Sequence, residues 1–221
     1  MRPALAVTTF GFVLAVAAPT TWALTRPAST AGAPVEQALA SPAASSSPPG
    51  PPGDVPTLGA RPAGSTPPAP RPVPVRLTAP GLGVDAPIDA VGVQRDGQMA
   101  LPADVDRVGW YHFGPAPGDD GSAVVAGHVD DREQGLGALS PLRTAAVGDE
   151  VQVTDDTGTT TRWRVVSREL ISKQALPLDR LFARDGPPHL TLITCGGPFL
   201  PEFGSYRDNV VVVAEPLLRE S

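Results

Sequence analysis

Three side chains in this sequence have the types and order needed for acyl transfer: His128, Cys195 and Arg207, separated by 67 and 12 residues. Cys195 is the single cysteine among 221 residues, so it forms no internal disulfide. It follows the β-branched and aliphatic run Thr191-Leu192-Ile193-Thr194 and precedes Gly196-Gly197. A thiol where a strand stops, beside backbone without side chains, is open to another molecule and suits a nucleophile. A free thiol has a pKa of about 8.5, so only a few per cent is thiolate at neutral pH. An imidazole that shares the proton raises the reactive fraction and can later protonate a leaving amine. A guanidinium offers a fork of donors to the oxyanion formed when a thiolate attacks an amide, or to the substrate backbone.

Each residue also has a structural reading. Cys195 could pack as a small hydrophobe. Arg207 could be a surface arginine paired with its neighbour Asp208. His112 sits in an aromatic stretch and His189 follows Pro187-Pro188, and both read as structural. His128 differs because Ala126-Gly127 before it leaves room for an approaching molecule. Asp130 and Asp131 after it would orient the ring or form a solvated acidic loop. Zinc held by Cys195 and His128 lacks ligands, since two are too few for a structural site. No metal or cofactor is expected.

These residues fall where short strands end. Strands are expected at Val75–Thr78, Ala86–Val93, Ser122–Val129, Glu150–Thr154, Thr159–Ile171, Leu190–Cys195 and Asn209–Glu215. Short helical turns are expected at Leu101–Val108 and Pro177–Phe182, and apolar residues recur at helical spacing over Leu136–Ala146. Seven or eight short strands separated by turns, with little helix, mean a sandwich or a closed barrel.

Composition divides the chain. Half of its 28 prolines fall between Pro27 and Pro74, with abundant Ala, Ser and Gly and four charged residues. Residues 27–74 therefore read as a disordered linker that cannot bury enough surface to offset its chain entropy. Residues 75–221 are long enough for one core. They hold 13 Lys and Arg against 21 Asp and Glu, which makes them acidic inside a chain of net charge −6. That balance, without a basic cluster, argues against nucleic acid. Residues 1–26 form an apolar segment flanked by Arg2 and Arg26. Two readings stand: a membrane-spanning anchor, or a signal peptide cut after Ala23. The first makes a single-pass protein of the cell membrane with an extracellular catalytic domain, and the second a secreted one.

Thr191-Leu192-Ile193-Thr194-Cys195 resembles the cysteine motif of the sortases. Ala126-Gly127-His128 is similar to their histidine motif, and Tyr206-Arg207-Asp208-Asn209 to their arginine position. Gly196-Gly197-Pro198-Phe199, Gly109-Trp110-Tyr111-His112-Phe113-Gly114 and Ser205-Tyr206-Arg207-Asp208-Asn209 resemble the class F branch. The resemblance covers roughly residues 75–216. It implies an all-β fold, a closed eight-stranded barrel with short helices. It also implies a cysteine transpeptidase that cleaves a Leu-Pro-Xaa-Thr-Gly-like sorting signal between Thr and Gly and passes the acyl group to a cell-wall amine. Its partners would be sorting-signal-bearing surface proteins and a wall precursor. Cys195 would be the nucleophile, His128 the acid and base, and Arg207 the oxyanion or substrate donor. Thr194 would touch the substrate. A mainly hydrolytic cysteine peptidase and an inactive wall-associated binding domain are the alternatives. No helical extension ahead of the first strand is evident.

Overall fold

Val210 to Val213 set the centre of the fold, because a strand of consecutive valines is stable only where both of its faces are covered. In the computed structural model, which describes residues 29–40 and 71–217, that is what happens. Val210 and Val212 point into one buried cluster, with Leu77, Val108, Val125, Trp163, Leu190 and Leu192. Val211 and Val213 point into a second, with Val35, Leu39 and Leu181.

The elements in chain order are β1 (Thr30–Gly32), α1 (Val35–Ala38), β2 (Pro74–Ala79), β3 (Val84–Val91), β4 (Val108–Tyr111), β5 (Ser122–Ala126), β6 (Asp130–Asp131), β7 (Gly135–Leu136), β8 (Glu150–Asp155), β9 (Thr160–Ser172), α2 (Leu178–Leu181), β10 (His189–Leu200) and β11 (Ser205–Pro216). Strands pair in the order β9-β11-β10-β5-β4-β3-β2-β8, and β8 returns to β9. This is the expected closed barrel of eight strands. The first cluster fills its interior and the second lies on its outside, over β10 and β11.

Three expectations are corrected. The strand expected at Leu190–Cys195 does not stop at Cys195. It runs to Leu200, and a register shift between Gly196 and Phe199 absorbs the Gly-Gly-Pro sequence as a bulge. The helical spacing over Leu136–Ala146 yields only a 3₁₀ turn at Ser140–Thr144. Leu101–Val108 forms no helix; there Asp104 accepts from the Asp106 amide in a side-chain turn.

Of the expected linker, residues 29–40 are structured, whereas residues 41–70 lie outside the described residues. Residues 29–40 form a strap across the barrel wall. β1 pairs with β9 at Glu169, Arg168 and Ser167, a stretch of edge that β8 leaves open. The Val35 amide donates to Glu169 Oε2 at 2.9 Å, and Ser167 Oγ donates to the Ala33 carbonyl at 2.6 Å. Val35 is fully buried against the outer cluster. Edge pairing and this one aliphatic plug offset the poor composition, and α1 is a short helix ahead of the barrel where none was expected. Val35→Asp removes about 2 kcal/mol of apolar burial and strands a carboxylate. It should lower Tm by several degrees and open the strap to proteolysis, with the barrel strands still protected in hydrogen exchange.

The expected single-pass membrane protein is also corrected. Among the described residues no helix is long and apolar enough to cross a membrane, since the helices here have only three to five residues. Residues 1–26, on which that expectation rested, lie outside the described residues.

Candidate active site

Strand register assembles the site. β5 and β10 run parallel, with Ile193 beside Ala126. Beyond that pair the Gly127 amide donates to the Ile193 carbonyl at 3.1 Å, and Thr194 Oγ1 donates to the Gly127 carbonyl at 2.8 Å. The chain entering His128 is thereby pinned to the chain entering Cys195. β11 runs antiparallel to β10 on its other side, with Cys195 opposite Asn209 and Gly196 opposite Asp208. Arg207 follows one step further along. His128, Cys195 and Arg207 thus come from three adjacent chain segments at one end of the barrel.

Cys195 is half-buried. It borders a cavity of about 260 Å³ whose walls include Val129, Asp130, Gly196, Tyr206 and, from the strap, Ser29. A second cavity, of about 380 Å³, lies among Phe113, Asp119, Asp120 and Arg184. It sits toward the start of β5, the opposite end from Cys195, and no thiol lines it.

His128 Nε2 lies 3.1 Å from the Pro102 carbonyl oxygen. A carbonyl only accepts, so Nε2 carries the proton and the lone pair of the neutral ring is on Nδ1. Neither neighbouring acid orients the ring by a hydrogen bond. Asp130 Oδ2 accepts from Tyr206 Oη at 2.5 Å. Asp131 Oδ1 accepts from the Glu133 and Gln134 amides, and these bonds hold its carboxyl below the usual range. Gly137 passes so close to the His128 carbonyl that a Cβ there would lie 2.3 Å from the oxygen. That packing fixes the His128 backbone.

Arg207 is more than half exposed, whereas the Asp208 side chain is 5% exposed. Arg207 Nε donates to Asp208 Oδ1 at 2.9 Å and Nη2 to Oδ2 at 2.8 Å. The guanidinium holds the Asp208 carboxyl below the usual carboxylate range. The pair uses two of the five N–H donors and leaves three outside it. The expected pairing with Asp208 is therefore present, in a bidentate form that fixes the plane of the fork.

Thr194 lines the cavity, but its hydroxyl is committed to Gly127 and its evident work is positional. Tyr206 was visible in the sequence only as part of a motif. Its bond to Asp130 joins the loop after His128 to β11, and that carboxylate, burial and the charge of Cys195 raise the phenol pKa. Phe199 packs edge-on against Tyr206, with centroids 5.3 Å apart. A sequence signal for Tyr206 existed in its place beside Arg207; its partner, 76 residues away, had none.

Comparison with known proteins gives the family and the fold. The family model described as Sortase domain matches residues 77–217. Among solved structures, the chain is similar to sortase C-1 from Actinomyces oris at 20% identity, over 65% of this chain and 73% of that one, with a TM-score of 0.52. It is similar to a lid mutant of sortase A from Corynebacterium diphtheriae at 20% identity, over 69% and 74%, with a TM-score of 0.52. Sortase C1 from Streptococcus agalactiae, in complex with MTSET, matches at 19% identity over 66% and 70%, with a TM-score of 0.51. At these identities the structural likeness is one of fold. No curated protein matches the chain.

Proposed function

The chain belongs to the sortase family and is by that membership a cysteine transpeptidase, and on this premise we propose that it cleaves a Leu-Pro-Xaa-Thr-Gly-like sorting signal between Thr and Gly and transfers the acyl group to a cell-wall amine. The observation that carries this reading is the register that sets the end of β5 and the start of β11 on either side of Cys195 in β10. In this scheme the Cys195 thiol loses its proton to His128 Nδ1. The thiolate attacks the Thr carbonyl carbon, and the three Arg207 donors outside the Asp208 pair take the developing oxyanion or an adjacent substrate carbonyl. His128 returns the proton to the departing Gly amine. A thioester on Cys195 remains, and a second amine resolves it. The Gly-Gly-Pro-Phe sequence after Cys195 and Ser205-Tyr206-Arg207-Asp208-Asn209 support assignment to the class F branch.

The full chain, incubated with such a peptide, should gain the mass of the peptide minus that of the released glycine fragment. Adding an amine acceptor should convert the adduct to a new amide rather than to free acid. A wild-type protein that never acquires the adduct, across peptides varied at Xaa, sinks the reading. An adduct resolved only by water makes the protein a peptidase.

A further inference from the structure

Backbone pairing pins two of the three acyl-transfer residues and leaves the third outside the ladder. Gly127 is bonded to Ile193 and Thr194, so the chain entering His128 and the chain entering Cys195 are fastened to each other. Arg207 has no such tie. The pairing of β10 with β11 passes from Gly196–Asp208 directly to Phe199–Tyr206, and β9 joins β11 only from Asp208 onward. Arg207 therefore lies opposite the bulge, at a gap in the pairing on both sides. Its bidentate bond to Asp208 sets the plane of the fork but holds it from one side only. The residues on its other side, Ser205 and Tyr206, belong to a hairpin tip that pairs with β10 only beyond the bulge. Two side-chain bonds root that tip in the barrel. Lys173 Nζ, just past the end of β9, donates to Ser205 Oγ at 2.7 Å. Tyr206 Oη donates to Asp130 Oδ2 at 2.5 Å. The second ends on a carboxylate, the stronger kind of hydrogen bond, and it ends two residues after His128.

We infer that Tyr206 is a positioning residue for acyl transfer: through Asp130 it fastens the segment of Arg207 to the segment of His128, on the side of Arg207 that the sheet leaves unpaired. The inference rests on the transpeptidase reading above. Three chain segments meet at the Cys195 cavity, and each pair of them then has its own tie. Gly127 joins the first to the second, Gly196 and Asp208 join the second to the third, and the Tyr206–Asp130 bond closes the triangle. Tyr206, Asp130 and Cys195 all line the cavity, so this tie lies beside the reacting sulfur. Phe199 packs edge-on against the Tyr206 ring and restrains it. The raised pKa of the phenol keeps its proton in place throughout the range in which a thiol titrates. Without the bond the guanidinium shifts from the point where the oxyanion forms, and a displacement of about 1 Å costs up to 10²-fold. The sulfur and the imidazole, fastened at Gly127, keep their places.

The experiment compares two reactions of the full chain at Cys195, its one thiol. Alkylation by iodoacetamide needs the thiolate and the imidazole only. Acylation by a Leu-Pro-Xaa-Thr-Gly peptide also needs the guanidinium. Tyr206→Phe keeps the ring and its packing on Phe199 and removes the bond. It should slow single-turnover acylation about tenfold, the size of one charge-assisted hydrogen bond, and leave alkylation at the wild-type rate. Asp130→Ala makes the same test from the other end of the bond and should give the same result. Asp130→Asn, whose amide oxygen still accepts from the phenol, should recover most of the loss. In an Arg207→Lys background Tyr206→Phe should add little, because both changes act on one guanidinium. Wild-type acylation in Tyr206→Phe overturns the positioning role and leaves transpeptidation standing. So does a loss that appears equally in alkylation, or one that adds in full to that of Arg207→Lys. A wild-type protein that forms no acyl-enzyme overturns both.

Discussion

Cys195→Ala should abolish turnover, by on the order of 10⁶-fold in kcat, and should leave Tm within about 3 °C of wild type. The two halves of this result have different causes. Turnover is lost because no other thiol exists in the chain, and water cannot replace a nucleophile held midway along β10. Stability is kept because Cys195 is half-buried, and its pairing with Asn209 is made by backbone. Removing the sulfur leaves no enclosed void of the kind that makes core truncations costly. Cys195→Ser should be as inactive, since a hydroxyl at this position is far less ionised than a thiol at neutral pH. Intact mass after peptide exposure reads the first half, and a thermal melt reads the second. A Cys195→Ala protein that still cleaves the peptide would remove the sulfur from the chemistry altogether.

The valine run and the Thr-Cys motif were legible because both depend on local pattern. Alternate burial of Val210 to Val213 needs only a strand with two covered faces. The strap was not legible. Its 12 described residues hold two aliphatic anchors, Val35 and Leu39, four positions apart, within an Ala-, Pro- and Gly-rich background. What orders them is the open edge of β9, and that edge exists only because β8 pairs with β9 no further than Arg164. The continuation of β10 past Cys195 was hidden for a related reason. Gly196-Gly197-Pro198 reads as a break, yet the partner strand β11 carries the pairing across it. At the site the residue types could be named, but their partners could not. Asp130 follows His128 closely in sequence and is spent on Tyr206, while the ring is held by Pro102, 26 residues earlier. Arg143 and Arg168 border one cavity although they lie on different elements.

Arg207→Lys should lower kcat/KM about 10²-fold, the cost of losing one well-placed oxyanion donor, although the charge is retained. Lysine has three donors on a flexible stem and cannot engage both Asp208 oxygens while aiming others at the substrate. The restraint on the fork is Asp208, which is itself packed against Gly197. That glycine has φ of 72°, and a Cβ there would lie 2.2 Å from Asp208 Oδ2. Gly197→Ala therefore pushes the carboxylate away and releases the guanidinium without touching Arg207. It should lose activity in the same direction as Arg207→Lys and keep the acyl-enzyme detectable at long incubation. The pair does not set the acid limit of the reaction. The pKa of Asp208 is lowered in the folded protein, so its contribution is complete above the ordinary carboxylate pKa of about 3.9. It is lost only as pH falls through the lower folded value. The low-pH limb of the wild-type profile should accordingly survive in Asp208→Asn, at a reduced plateau. A limb that shifts in that variant would mean that Asp208 itself titrates in turnover. Near wild-type rates in Arg207→Lys would take the guanidinium out of the transition state.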